Sequence, residues 1–362
     1  MIKMSNYIRP EFASLEPYVP GEQPAGKTYV KLNTNESPFP PAPGVRERAA
    51  KAAEGLNLYN DPDSRELTKK TAEHFGLSPE CVLMTSGSDE ILNFAFITFC
   101  GKDRPAVFPD VTYGFYKVFA NVNLVPYEEI PVKDDLSIDY RDYLGIGKTI
   151  FIANPNAPTG KALPLNEIEE IVKSNPDNVV VIDEAYIDFG GESSVALVKK
   201  YDNVLVTQTF SKSRSMAGAR LGMGIGSKEL ITSLNTVKFS MNPYNVNSMT
   251  AAAGLATLEN QEYTAKNVAA IVKNREYTTE KLRELGFEVS DSSTNFVFAK
   301  HPEISGEEIY LSLREKGILV RHFTPQKIKD YNRISIGTRE QMEALITALK
   351  EITEEYYEIS DN

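Results

Sequence analysis

The spacing of apolar and polar positions divides the chain into three stretches of different texture. The first forty residues carry prolines at 10, 17, 20, 24, 38 and 40. Proline fixes φ and removes a backbone donor, so this stretch reads as an extended arm that needs a partner surface. From residue 44 the spacing becomes helical over 45–54 and 64–75, a short apolar run at 81–84 reads as a strand, and 88–99 reads as a helix. The runs 149–153, 178–183, 204–209 and 221–225 each carry consecutive or closely spaced apolar residues, as strands covered on both faces do, and an amphipathic helix at 165–173 separates the first two. Such alternation predicts an α/β fold with a mainly parallel sheet flanked by helices.

Helical spacing dominates 228–285. Beyond it lie short strands at 287–289, 295–299, 318–321 and 331–336, with helices at 305–316 and 338–355, the pattern of a second, smaller α/β domain. The expected organisation is an arm over 1–43, a large domain over 44–242 and a small C-terminal domain over 243–362.

Charge and composition narrow the function. Among 362 residues, 39 Lys and Arg against 50 Asp and Glu leave a net charge of −11, which repels nucleic-acid backbones and anionic membrane surfaces, and no basic run offsets it. The longest apolar stretch, 91–100, is interrupted by Asn93 and falls well short of the roughly 18 residues that a membrane helix requires. Residues 1–12 lack an apolar core and carry Pro10, so no secretory signal is expected and the cytosol is the predicted compartment. Cys81 and Cys100 sit apart in apolar surroundings and read as free thiols, and His74, His301 and His322 are too scattered for a metal centre.

Two nucleotide motifs are matched only in letters. Residues 21–28 spell a P-loop, but prolines precede them where a strand should be, and an extended, proline-rich run follows where a helix should be. Gly222, Gly224 and Gly226 have the wrong spacing for a dinucleotide fingerprint and continue a strand, so they are expected to permit close packing.

The informative residues lie at strand ends. Asp183-Glu-Ala-Tyr186 closes one buried strand and Ser211-Lys212 follows the next. In a parallel sheet the carboxyl ends face one way, so an acid and a lysine converge there on one ligand. Alone, such a pair is better read as a structural ion pair or as helix caps. The company decides: Asn154-Pro-Asn-Ala-Pro-Thr-Gly160 follows the preceding strand, Thr85-Ser-Gly-Ser-Asp89 opens a helix after another, and Arg220 closes the stretch that begins at Ser211.

On these motifs the chain resembles the fold-type I pyridoxal-phosphate aminotransferases, and among them the histidinol-phosphate aminotransferase family, over nearly its whole length. Leu15-Glu-Pro-Tyr-Val-Pro-Gly-Glu22, Lys31-Leu-Asn-Thr-Asn-Glu-Ser-Pro38, Pro243-Tyr-Asn-Val-Asn247 and Arg333-Ile-Ser-Ile-Gly-Thr338 look like that family in particular. The resemblance implies pyridoxal 5'-phosphate as cofactor of the large domain. It implies a cytosolic homodimer that converts histidinol phosphate and 2-oxoglutarate to imidazole acetol phosphate and glutamate, a step of histidine biosynthesis. Threonine-phosphate decarboxylation and aromatic amino-acid transamination share the same machinery and stand as alternatives. A non-catalytic cofactor-binding sensor is a remote one, since such regulators carry a DNA-binding module that this acidic chain does not show.

The same resemblance assigns residues. Lys212 would form the Schiff base with the cofactor aldehyde and then move the substrate α-proton. Asp183 would pair with the pyridine nitrogen, Tyr186 would reach the phenolic oxygen, and Tyr113 would stack on the ring. The amides of Ser88 and Asp89, the Ser211 hydroxyl and Arg220 would cradle the phosphate. Where the family has Asn before Pro-Thr-Gly this chain has Ala157, so Asn156 is the expected substitute. Tyr59 would reach the cofactor of the neighbouring subunit. Tyr18, Asn35, Arg321 and Arg333 would meet the substrate, with Tyr18 and the two arginines on its distal phosphate.

Overall fold

The computed structural model describes residues 5–24, 26 and 28–360. The start of the segment read for a targeting signal and Lys27 of the P-loop lettering lie outside the described residues.

In chain order the elements are β1 (Val30–Lys31), α1 (Val45–Ala53), α2 (Arg65–Phe75), β2 (Val82–Thr85), α3 (Ser88–Phe99), β3 (Ala106–Pro109), α4 (Phe115–Val122), β4 (Tyr127–Ile130), β5 (Thr149–Ala153), α5 (Leu165–Ser174), β6 (Val180–Asp183), β7 (Val204–Thr209) and β8 (Gly222–Gly226). After these come α6 (Lys228–Met241), α7 (Ser248–Leu258), α8 (Gln261–Glu284), β9 (Glu288–Val289), β10 (Phe296–Lys300), α9 (Gly306–Glu315), β11 (Ile318–Leu319), β12 (Arg321–His322), β13 (Asn332–Ser335) and α10 (Arg339–Ser360).

The central sheet has the order β2-β8-β7-β6-β5-β3-β4. The apolar runs at β5, β6 and β7 form its parallel middle, in register so that Ala153, Asp183 and Thr207 stand side by side. The run at 221–225 departs from the parallel series: β8 lies antiparallel to both β7 and β2. The chain returns from β7 through a loop with no crossover helix, and a direct return admits only the antiparallel direction. The pattern reading passed over β3, α4 and β4. β4 is an edge strand whose Glu128 and Glu129 face solvent, so it carries no apolar signal.

The glycines of β8 do pack closely. A Cβ on Gly222 would stand 2.3 Å from the amide nitrogen of Ser88, and one on Gly224 would stand 2.7 Å from Ile91. Their absence lets α3 lie directly on the sheet with its N-terminus at the sheet's edge.

The second sheet, β12-β13-β10-β9, is antiparallel, and α9 and α10 pack beside it. The run expected as one strand at 318–321 divides between partners: β11 pairs with β1 of the arm and β12 pairs with β13. The arm thus finds its partner surface on the small sheet's side, and Leu32 is buried there. Val246, Ala253 and Ala256, around and within α7, join the large core, while Ile271 and Leu282 of α8 join the core under the second sheet. Both cysteines are free, and burial pushes the Cys100 thiol up to about 12. Among the described residues no helix is long and apolar enough to cross a membrane.

Candidate active site

A cavity of about 450 Å³ opens at the carboxyl ends of the parallel strands, bounded by the arm, α3, the loop after β7, and Arg321 and Arg333 of the second sheet. β6 delivers Asp183 to its floor, only 4% exposed. Tyr116 of α4 donates to Asp183 Oδ2 at 3.0 Å, and the Ala185 amide approaches Oδ1 at 3.3 Å. Burial pushes this carboxyl up to about 7, against the opposing hydrogen bond from Tyr116. The next residue, Glu184, does not line the cavity. It accepts from Ser193 Oγ at 2.7 Å and Gln208 Nε2 at 2.9 Å, and burial pushes it to about 7 as well.

Lys212 faces the same cavity from the loop after β7. Its Nζ donates to the Thr34 carbonyl at 3.1 Å and stands 5.8 Å from the centre of the Tyr186 ring. Burial draws the amine down to about 8, the Arg333 charge assists, and Glu36 and Asp89 oppose. A lysine so placed loses its proton far more readily than one in water.

The third feature is an anion cradle. Gly87, at φ +80°, turns the chain into α3, whose first turn has no side-chain cap. The first amides of a helix have no partner within it, so those of Ser88 and Asp89 are available to a ligand. Arg220 reaches Ser211 Oγ at 3.3 Å and Asp89 Oδ2 at 3.1 Å. A Cβ on Gly87 would come within 2.6 Å of that guanidinium, so only glycine leaves the cradle its shape. A phosphate-bearing pyridine aldehyde fits this set of donors, with an acid and an amine on the cavity wall beyond the cradle.

Aromatic and cationic groups complete the wall. Tyr113 donates to Asp89 Oδ1 at 2.8 Å and meets Tyr116 edge-on. Tyr18 of the arm stacks on Phe115 with ring centres 4.1 Å apart. Arg321 donates to the Pro20 and Val19 carbonyls at 3.0 and 2.9 Å, tying down the arm. Arg333 spends one nitrogen on the Asn33 carbonyl at 3.3 Å, while its buried Nε has no partner. Asn35 donates to the Tyr186 hydroxyl at 2.9 Å.

Thus Lys212, Asp183, Tyr186, Ser88, Asp89, Tyr113, Ser211, Arg220, Tyr18, Asn35, Arg321 and Arg333 come together around one space. Asn156 and Tyr59 do not line it. The Asn156 amide is spent within its loop, accepting from Thr112 Oγ1 at 2.8 Å and donating to the Val111 carbonyl at 2.9 Å, so Ala157 takes the cavity side. Tyr59 is 84% exposed and stacks on Tyr244. Sequence reasoning missed Tyr116, which lies in the first turn of α4 just beyond Tyr113 and carries no local signal of its own. It also missed Thr34 and Glu36.

Comparison with known proteins matches residues 27–349 to the family described as aminotransferase class I and II. The chain is 46% identical over 351 residues to a histidinol-phosphate aminotransferase of Brachyspira hyodysenteriae, a match covering 96% of this chain and 99% of that one. It is similar in structure to the histidinol-phosphate aminotransferase of Sinorhizobium meliloti in complex with pyridoxal-5'-phosphate, with TM-score 0.90 and 24% identity over 98% of this chain and 100% of that one. It is also similar to the L-threonine-O-3-phosphate decarboxylase of Porphyromonas gingivalis, with TM-score 0.77 and 20% identity over 90% and 99%. At such identities the two structures speak for the fold, which hosts more than one chemistry.

Proposed function

Because the chain belongs to the class I and II aminotransferases, we propose that it transfers the amino group of histidinol phosphate to 2-oxoglutarate, using pyridoxal phosphate and yielding imidazole acetol phosphate and glutamate. The choice of substrate rests on the full-length identity to a histidinol-phosphate aminotransferase. One observation in the site carries the chemistry: an acid raised to about 7 and a lysine lowered to about 8 face one cavity beside an uncapped helix start.

Bound pyridoxal phosphate supplies an electron sink for the charge left when the substrate α-proton departs. Arg220, Ser211 Oγ and the amides of Ser88 and Asp89 hold its phosphate. Asp183 would hold a negative charge toward the ring nitrogen, with Tyr116 orienting the carboxylate. Tyr113 would pack against the ring, and Tyr186 Oη would be placed to donate to the phenolic oxygen. Lys212 Nζ anchors the group, takes the α-proton and returns it, a task suited to an amine that is largely unprotonated in mildly alkaline solution.

Arg333, with its unpaired Nε, Arg321 and Tyr18 receive the distal phosphate of the substrate, and Asn35 borders it. The arm, stacked on Phe115 through Tyr18, excludes water. Asn156 shapes the loop behind Ala157. The enzyme works in the cytosol as a homodimer in which the exposed Tyr59 reaches the partner's site.

Mixing holoenzyme with histidinol phosphate, aromatic amino acids and threonine phosphate in separate half-reactions, and following the cofactor absorbance, tests the reading. Fastest amino transfer from histidinol phosphate supports it. Preferred carbon dioxide release from threonine phosphate, or preferred turnover of aromatic amino acids, replaces it.

A further inference from the structure

We propose that Ser335 is a positioning residue that orients the Asn35 amide and thereby aims the Tyr186 hydroxyl hydrogen into the cavity. The proposal rests on the pyridoxal-phosphate reading of that cavity.

The direction of each hydrogen bond follows from what each atom is able to do. The Asn35 backbone N–H donates to Ser335 Oγ at 2.8 Å, so this oxygen acts as acceptor there and its own hydrogen is free to go elsewhere. Asn35 Oδ1 lies 2.9 Å from Ser335 Oγ and takes that hydrogen. The amide oxygen is thereby fixed on the Ser335 side, which turns Nδ2 toward Tyr186 Oη at 2.9 Å. The phenol accepts from Asn35 and keeps its own hydrogen for an acceptor in the cavity.

The reverse arrangement is disfavoured. With the Asn35 amide flipped, Ser335 Oγ would face two donors and its hydrogen would be stranded in a place where Ser335 is 3% and Asn35 1% exposed. The phenol would then donate backwards to the amide oxygen. The backbone leaves Asn35 little freedom to escape: it sits at φ +55°, and its carbonyl accepts from Asn295 Nδ2 at 3.0 Å. Ser335 itself is held by the small sheet and by its amide's bond to the Leu32 carbonyl at 2.9 Å.

Tyr186 also feels Arg333 from β13, Asp183 from β6 and Asp89 from α3, and Lys212 lies over its ring. Ser335→Ala leaves all four in place, so a change in the phenol's behaviour reports the relay. Donation from Tyr186 to the phenolic oxygen of the cofactor favours the deprotonated form of the lysine-bound chromophore and lowers its titration midpoint.

The test is an absorbance titration of holoenzyme without substrate. Tyr186→Phe is expected to raise the midpoint by roughly 0.5 to 1 pH unit. Ser335→Ala should raise it in the same direction, Ser335→Thr should return it close to wild type, and the Tyr186→Phe/Ser335→Ala double variant should shift no further than Tyr186→Phe alone. Ser335→Cys, a weak donor of similar shape, gives the same reading should Ser335→Ala not fold. A wild type with no lysine-bound chromophore overturns the cofactor reading and the relay with it. A normal chromophore whose midpoint is unmoved by loss of the Ser335 hydroxyl, or shifts that add in the double variant, overturn the relay alone.

Discussion

The Tyr116 phenol donates to Asp183 Oδ2 at 3.0 Å from a fully buried position in α4, and no other side chain donates to that carboxylate among the described residues. Burial holds the phenol well above its usual pKa, so it remains a donor throughout the working range. Tyr116→Phe keeps the ring and removes only the hydroxyl. Loss of a hydrogen bond to a charged group costs about 1.5 to 3 kcal/mol, so kcat/KM should fall roughly ten- to a hundredfold. Thermal unfolding should move little by comparison, and an unchanged kcat/KM would remove Tyr116 from the site.

Asp183 also makes the protein's stability depend on pH. Its folded-state value of about 7 lies above the ordinary 3.8, so its contribution is fully present below 3.8 and is lost as pH rises through about 7. Glu184, raised to about 7, acts in the same sense. The apoprotein should therefore lose stability across this window, and Asp183→Asn should flatten part of the decline. With Asp183 in its proposed role, bound cofactor would set positive charge against it, so the gap in Tm between holo and apo forms should widen from pH 5.5 to pH 8, as calorimetry can read. Asp183→Asn should also lose most turnover while retaining cofactor.

If Lys212 is the lysine that captures the cofactor, it can do so only when its amine is neutral. With the amine drawn down to about 8, the rate at which apoprotein takes up pyridoxal phosphate should rise with pH and level off above that value. Arg333 contributes to the lowering, so Arg333→Ala should move the midpoint upward. Borohydride reduction and peptide mapping should find the pyridoxyl group on Lys212, and Lys212→Ala should lose turnover by several powers of ten. A label on another lysine would refute the assignment.

The cradle separates affinity from turnover. Arg220→Ala should weaken cofactor binding by about 1.5 to 3 kcal/mol, roughly ten- to a hundredfold, with a smaller effect on the rate of the saturated enzyme. Gly222→Ala should be worse for the fold, because its Cβ would stand 2.3 Å from the Ser88 amide and push α3 off the sheet. Equilibrium dialysis and thermal unfolding distinguish the two.

Substrate choice should reside in Arg333. Its buried Nε has no partner and would be free to donate to the substrate's distal phosphate. Two charged hydrogen bonds of about 1.5 to 3 kcal/mol each would favour histidinol phosphate over histidinol by roughly two to four powers of ten in kcat/KM. Arg333→Ala should erase most of that preference. A wild type that treats the two alike would favour the aromatic alternative.

Much of this was legible in the linear chain. The apolar runs of β5, β6 and β7 announce strands buried on both faces, and the alternation with helices announces the sheet that brings their ends together. The placement of Asp183 at one strand end and Lys212 past the next follows from that direction alone, and the motifs around Gly87, Ser211 and Arg220 carry the cradle. These signals are local, and each rests on the residue types within one element.

What the sequence left open depends on contacts between elements distant in the chain. Whether β8 ran parallel or antiparallel was decided by the direct return from β7, and the edge strand β4 stayed hidden because one side of it meets solvent. Nothing local singles out Tyr116; α4 sets it against Asp183 across 67 positions. Asn156 looked free to face the ligand until Val111 and Thr112 took its amide. The bond between Asn35 and Ser335 spans 300 positions, and no local pattern encodes it. Periodicity determines which face of an element is buried. Which hydroxyl meets which carboxylate is decided only when separate elements pack, because a hydrogen bond depends on ångström-scale distances that only tertiary packing sets.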